Sequence, residues 1–193
     1  MLLENVLIFY TQSKHTIKGM TKEIYEAIEK RVLEALPTTY CDLFLGQYHD
    51  ETGNPLWSTP AVLIEFAPVN WDPFPDGQQR AILEFTLHLV SETAYDSSKR
   101  ITATDHYANQ EALHRFFNRW VCRLTYLGMT GDVVLMNTVV RTRTEQSNDM
   151  LSLIVTRQNF KTQITDFTAS QQWALLSQPV ALEVDAEIVE FLL

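Results

Sequence analysis

The feature that most constrains this chain is a regular alternation of apolar and polar residues between positions 80 and 89. A period of two places successive side chains on opposite faces of an extended strand. One face can then be buried and the other solvated, as in a half-buried antiparallel strand. The apolar positions are Ala81, Leu83, Phe85, Leu87 and Leu89, and they alternate with Arg80, Glu84, Thr86 and His88.

Two segments show the helical period instead. In residues 21–36 apolar side chains recur every three or four positions, Thr21 is a suitable N-cap, and Pro37 ends the helix. Residues 104–127 carry one broad apolar stripe, and Gly128 is well placed as the residue that terminates the helix. We expect this second helix to be the main cover of the core.

Four further segments are predicted strands because they are short, apolar and bounded by turn residues. They span residues 40–45, 60–66, 133–144 and 151–165. Residues 70–77 contain two prolines and a glycine, which predicts an irregular loop.

The resulting element order is α-β-β-β-α-β-β, with strands grouped apart from helices. This order predicts an α+β fold, in which an antiparallel sheet of about four to five strands carries two helices on one face. We divide the chain into an N-terminal arm (1–19), an α+β core domain (20–167) and an apolar C-terminal tail (168–193). The arm and the tail are too apolar to be solvated, so each packs on its own domain or on a neighbouring subunit.

The charge of the chain argues against tight nucleic-acid binding. Lys and Arg number 15 against 24 Asp and Glu, which gives a formal net charge of −9. Binding to a phosphate backbone depends on clustered Lys and Arg, and the basic residues are scattered along this sequence.

The N-terminus and the cysteines both point to a reducing compartment. Residues 1–10 are apolar but lack the basic start and cleavage site of a signal peptide, and no stretch is long enough to span a membrane. Cys41 lies in an apolar run and Cys122 on the second predicted helix. Two such thiols, without C-x-x-C spacing, are expected to be inert and buried.

No motif of known chemistry is present. The sequence has no glycine-rich phosphate loop, no G-x-S-x-G and no H-E-x-x-H. His106 and His114 lie on one predicted helix but more than two turns apart, so solvated histidines are favoured over a metal site. We predict no catalytic residue, no cofactor and no metal.

Two tryptophans stand in polar loops beside prolines, where a large aromatic side chain has little local reason to be. Trp57 and Trp71 are therefore candidates for anchoring a protein interface. The alternative is that each loop folds back and buries its own tryptophan.

Several short signatures occur in a distinctive order: Gly46-Gln47-Tyr48, then Pro-Ala-Val-Leu-Ile-Glu-Phe at 60–66, Trp71, Gln78-Gln79 opening the long strand, and a final strand through 160–166. Together with the single helix after the long strand, residues 20–167 resemble the tail terminator (tail completion, head–tail joining) proteins of long-tailed bacteriophages and prophages.

The resemblance implies a structural assembly protein of the virion, made in the host bacterial cytoplasm. In that family a ring, usually of six subunits, caps the tail tube and contacts the head-side connector. The implied partners are other copies of this chain, the tail tube protein and connector proteins, with no membrane. DNA would pass the ring without specific binding, which suits a net-negative protein. The interface candidates are Trp57, Trp71, Phe74, Trp173, Leu176 and Phe191.

Two other classes stay open. The first is a monomeric cytosolic protein-binding module that uses the Trp57 and Trp71 loops. The second is an enzyme of unknown class built on Cys41 or a histidine, which would require a pocket with convergent His, Asp or Glu side chains.

Overall fold

The computed structural model describes residues 20–49, 57–92, 100–125, 132–147 and 153–167. The predicted arm (1–19) and tail (168–193), and with them Trp173, Leu176 and Phe191, lie outside the described residues.

Two helices and eight strands make up the described part of the chain. Both predicted helices are present, and the strand from 60 to 66 and the long alternating strand lie where they were predicted. In chain order the elements are α1 (Met20–Ala35), β1 (Tyr40–Leu43), β2 (Ala61–Phe66), β3 (Trp71–Pro73), β4 (Gln79–Glu92), α2 (Arg100–Phe117), β5 (Cys122–Thr125), β6 (Asp132–Met136), β7 (Val140–Ser147) and β8 (Leu153–Asp166), with short 3₁₀ turns at Gln47–His49 and Pro75–Gly77.

All eight strands belong to one sheet, with the order β1-β2-β4-β8-β6-β5. The two long strands β4 and β8 pair along their whole length at its centre. β3 adds to β4 beyond the end of β2, and β7 adds to β8 beyond β6. The fold class is α+β as predicted, but the sheet has more strands than expected. It is also mixed, because β1 and β2 are parallel.

Three short strands explain the wrong strand count. β3 lies inside the segment predicted to be irregular, where a three-residue pairing with β4 is too short to leave a periodic signal. The single predicted strand 133–144 is two strands, β6 and β7. β5 was predicted as the end of the second helix, so the placement of Cys122 on a helix was wrong.

The second helix ends at Phe117 rather than at residue 127. Arg119 follows in the left-handed conformation, with φ of 61°. Its N–H donates to the carbonyl of Val139 (3.0 Å), and the N–H of Val139 donates to the carbonyl of Trp120 (2.8 Å). Because these backbone hydrogen bonds join residues 119–120 to a distant segment, the helix ends here and the chain continues into β5. Gly128, the predicted terminator, lies outside the described residues.

The main core lies between the two helices and one face of the sheet, as the alternation in β4 predicted. Ile28 of α1 and Phe117 of α2 share it with the apolar positions of β4. The rings of Phe85, Phe117 and Phe160 form its centre, with centroid separations of 5.3 to 6.1 Å. Within the described residues, neither helix is long and apolar enough to cross a membrane.

A smaller core covers part of the opposite face of the sheet. Residues 44–49, which follow β1, fold over that face and bury Tyr48 against Leu63, Val90 and Val155. The rest of this face, towards the start of β4, carries solvent-exposed side chains such as Ile82 and the ion pair of Glu84 with Lys161 (3.0 Å).

Candidate functional site

The predicted interface residues of the described region fall into two environments. Trp57 is partly buried and packs on the smaller core of its own domain. Trp71, on β3, is 36% exposed, and Phe74 is 39% exposed. The guanidinium carbon of Arg80 lies 3.5 Å from the centroid of the Phe74 ring, a cation–π contact. Trp71 of β3 and the adjacent Phe74 thus form an exposed aromatic edge, whereas Trp57 contributes to the packing of its own domain.

A polar cleft of about 310 Å³ opens on the face of the sheet that the helices do not cover. Strand pairing brings its floor together, because Thr86 of β4 is opposite Glu65 of β2 and Asn159 of β8. The wall comes from the segment that follows β1. The lining residues are Phe44, Tyr48, His49, Glu65, Thr86, His88, Glu145, Arg157 and Asn159.

A chain of hydrogen bonds runs beneath this cleft. The hydroxyl of Tyr48 lies 2.8 Å from Nδ1 of His88, and Nε2 of His88 lies 2.8 Å from a carboxylate oxygen of Glu65. A carboxylate only accepts, so Nε2 carries the proton and Nδ1 accepts from the tyrosine. Nε and Nη2 of Arg157 donate to the same hydroxyl at 3.4 and 3.3 Å. The donor order is therefore Arg157, Tyr48, His88, Glu65.

The surroundings favour the neutral form of both His88 and Tyr48. Burial lowers the pKa of His88, and the contact with Glu65 opposes this only in part. Burial also raises the pKa of Tyr48, while the hydrogen bond from Arg157 acts in the other direction.

The arrangement gives His88 and Tyr48 a positioning role. His88 is 2% exposed and Tyr48 is 5% exposed. The ring of Phe44 stacks on that of His88 at 4.3 Å. Both ring nitrogens of His88 are already bonded, so neither is available to a ligand. This chain of hydrogen bonds from Arg157 to Glu65, which we call the relay, fastens residues 44–49 to the sheet. The groups of the cleft that are open to solvent include His49 and the half-exposed carboxylate of Glu65.

His106 was predicted to be solvated, and this was wrong. It is fully buried on α2, and its two ring nitrogens lie 2.8 Å from the hydroxyls of Ser91 on β4 and Thr156 on β8. The signal was present in the sequence. His106, Leu113 and Phe117 are spaced i, i+7, i+11 and therefore share one face of a helix. His114 is partly buried, and its Nδ1 has no hydrogen-bond partner among the described residues.

The two cysteines are poorly activated. Burial raises the pKa of Cys41 to about 12 and that of Cys122 to about 11, and nearby carboxylates add to both shifts. Thiolate is the nucleophilic form, so these shifts disfavour reaction of either thiol at neutral pH. Across the part of the chain that the structure describes, no group of three or more His, Cys, Asp or Glu side chains is arranged to hold a metal ion.

The relay was missed from the sequence because its members come from four separate segments. The alternation of β4 placed His88 correctly on the polar face of the strand. Only the fold of residues 44–49 over that face buries it. Glu65 and Arg157 gave no local signal, since a charged residue on a strand reads as solvent-facing.

Comparison with known proteins gives little. No family model matches this chain. No curated protein matches it either. Among solved structures it is similar to a chain of the virion of a native gene transfer agent particle. The two are 8% identical, the match covers 77% of this chain and 92% of the other, and the TM-score is 0.40. A similarity of this degree carries no argument about function.

Proposed function

We propose that this chain is a structural assembly protein of a phage or prophage tail, of the tail terminator class. It acts by forming a ring of identical subunits that closes the tail tube and contacts the head-side connector. The proposal takes its class from the order of elements and the short signatures described above, and its mode of action from the exposed edges of the sheet.

One observation carries the mode of action. β3 and β7 lie on opposite sides of the central pair β4 and β8, and each pairs with only one strand among the described residues. Unpaired strand edges are natural sites for association with another chain. Each edge also exposes apolar side chains, namely Trp71 on β3 and Val140 on β7, which is 51% exposed.

Two different association surfaces on opposite sides of a subunit suit a head-to-tail contact. Such a contact is heterologous, and it produces a ring when the rotation between neighbours closes. The net charge of −9 supports the same reading, because carboxylates repel DNA phosphates and a negative channel lets DNA slide. No catalytic group and no cofactor enter this function.

The test is the solution mass of the full chain by light scattering at several concentrations. We expect a discrete oligomer, or a monomer that associates as the concentration rises. Trp71→Ala should weaken this association, whereas Trp57→Ala should lower stability more than association, because Trp57 packs on its own domain. A strict monomer at every concentration would contradict the proposal.

The second candidate function is a monomeric protein-binding module. The exposed aromatic edge formed by Trp71 and Phe74 favours it, since such side chains anchor interfaces. The same measurement separates the two functions. A stable monomer whose capture of a partner depends on Trp71 would support the module.

A further inference from the structure

The relay beneath the cleft has a fixed direction, because neither of its ends can reverse. Arg157 has only donors, and the ionised carboxylate of Glu65 has only acceptors. Between them the hydroxyl of Tyr48 accepts from Arg157 and donates to Nδ1 of His88. Nε2 of His88 then donates to Glu65. The relay is complete when His88 is neutral, so it has no place for a further proton.

A proton added to His88 acts unequally on the two bonds of its ring. The proton must be carried by Nδ1, which changes from an acceptor to a donor. Tyr48 then faces donors from both His88 and Arg157, and its own hydrogen loses its acceptor. The bond from Nε2 to Glu65 is strengthened instead, because it becomes charge-assisted. Protonation therefore opposes the bond that holds residues 44–49 and keeps the bond within the sheet, where β2 and β4 pair.

Several charged groups surround His88, and burial outweighs their effect. Burial is the largest influence and lowers the pKa of His88, whereas the hydrogen bond and the charge of Glu65 on β2 raise it. The charges of Arg157 on β8 and of His49 lower this pKa further. Glu145 of β7 lines the same cleft. The neutral ring is thus maintained chiefly by what covers it.

The burial of His88 depends on residues 44–49. The ring of Phe44 stacks on the imidazole with the centroids 4.3 Å apart, and His88 is 2% exposed. When the segment leaves the sheet, the imidazole meets water and its pKa returns towards the ordinary value of histidine. The released state therefore takes up the proton first, and release becomes easier as the pH falls below about 6.5.

We propose that residues 44–49 form an acid-released strap, which leaves the sheet when His88 takes up a proton. Release uncovers the apolar side chains beneath the strap, among them Leu63, Val90 and Val155, and opens one wall of the polar cleft. The main core lies on the other face of the sheet and stays intact. The inference concerns a single subunit and does not depend on the proposed function.

Amide hydrogen exchange of the full chain at pH 7.5 and pH 5.5, followed by mass spectrometry, tests this proposal. Peptides that cover the strap report on it, because the N–H groups of Phe44 and His49 donate to the carbonyls of Ile64 and Gly46. After correction for the intrinsic exchange rate, their protection should fall by up to about tenfold between the two pH values. Protection in β4 and β8, at the centre of the sheet, should fall less.

Two variants test the role of the relay. His88→Gln introduces a side chain that can still donate to Glu65 but does not titrate, so the strap should show little pH dependence. Tyr48→Phe removes the hydroxyl that a proton on His88 would oppose, so the fall in protection should be smaller than in wild-type protein. As matched controls, His106→Gln removes a buried histidine under α2 and His49→Gln removes an exposed one in the strap, and both should keep the wild-type response.

The results separate this inference from its alternatives. Equal loss of protection in the strap and in the central strands would show that acid unfolds the whole domain, which would overturn the inference. Unchanged protection of the strap at pH 5.5 would overturn it as well. So would a full response in His88→Gln, or in Tyr48→Phe where the first variant does not fold. Loss of the response in His49→Gln would assign the proton to that exposed ring instead, and this too would overturn the inference.

Discussion

His106 is the most completely buried ionisable side chain among the described residues, and its surroundings favour the neutral imidazole. It contacts two hydroxyls and no charged group is involved, so burial alone lowers its pKa. The pKa of His88 is also lowered chiefly by burial, although the charges of Glu65, Arg157 and His49 act on it as well. Both residues thus connect the stability of the core to pH.

We expect the free energy of unfolding to fall as the pH is lowered below about 6.5, the ordinary pKa of histidine in an unfolded chain. The folded pKa is depressed, so the unfolded chain binds the proton first. Stability is therefore complete above that pH and is lost as the pH falls towards the folded pKa. Each unit of pKa difference corresponds to about 1.4 kcal/mol.

Urea unfolding at pH 7.5 and pH 5.5 checks this expectation. His106→Gln should show a smaller loss between the two pH values than wild-type protein. His49→Gln, which removes an exposed histidine, is the matched control. An equal pH dependence in wild type and His106→Gln would contradict the assignment.

At the level of single elements, residues 44–49 cover part of the sheet face that the helices leave open. With this segment in place, part of the face becomes a small core and a polar cleft. A backbone hydrogen bond holds the start of the segment, because the N–H of Phe44 donates to the carbonyl of Ile64 on β2 (2.8 Å). The rest is held by side-chain contacts, among them the stack of Phe44 on His88 and the relay through Tyr48.

Tyr48→Phe should destabilise the protein by about 1–3 kcal/mol, because it leaves Nδ1 of His88 without a donor in a buried site. Chemical denaturation measures the change. Tyr40→Phe is the control, since the hydroxyl of Tyr40 donates to Asp42 in a less buried place, and we expect it to cost about 1 kcal/mol or less. Equal effects of the two substitutions would show that the relay does not fasten the segment.

At the scale of the whole molecule, one aromatic cluster joins the layers. Phe117 of α2 lies 5.4 Å from Phe160 of β8 and 6.1 Å from Phe85 of β4, measured between ring centroids. Trp120, just beyond the helix, meets Phe117 edge-on at 5.5 Å. These ring contacts therefore pack the end of α2 against the sheet.

Phe117→Ala should cost about 3–5 kcal/mol, because it opens a cavity in a fully buried site. Thermal and urea unfolding report the loss. Tyr107→Ala removes an aromatic ring from the exposed side of the same helix, and we expect a change below about 1 kcal/mol. A loss at Phe117 no larger than at Tyr107 would contradict the central place of the cluster.

The core was largely predictable from local periodicity. The alternation in β4 identified the positions that pack under the helices, and the apolar stripe of residues 104–127 includes Leu113 and Phe117, which are buried in the core. The candidate site was not predictable from local periodicity. The relay unites side chains that are distant in sequence, and no periodicity relates them.

Local patterns along the chain were enough to predict the α+β class and most of the main core, because both depend on the direction of neighbouring side chains along one helix or strand. The end of α2, the number of strands in the sheet and the burial of particular polar residues depend instead on contacts between distant segments. The end of α2 depends on backbone bonds to Val139, and the burial of His88 depends on Phe44 and Tyr48. Contacts of this kind are made between segments, so their energies are absent from any local pattern.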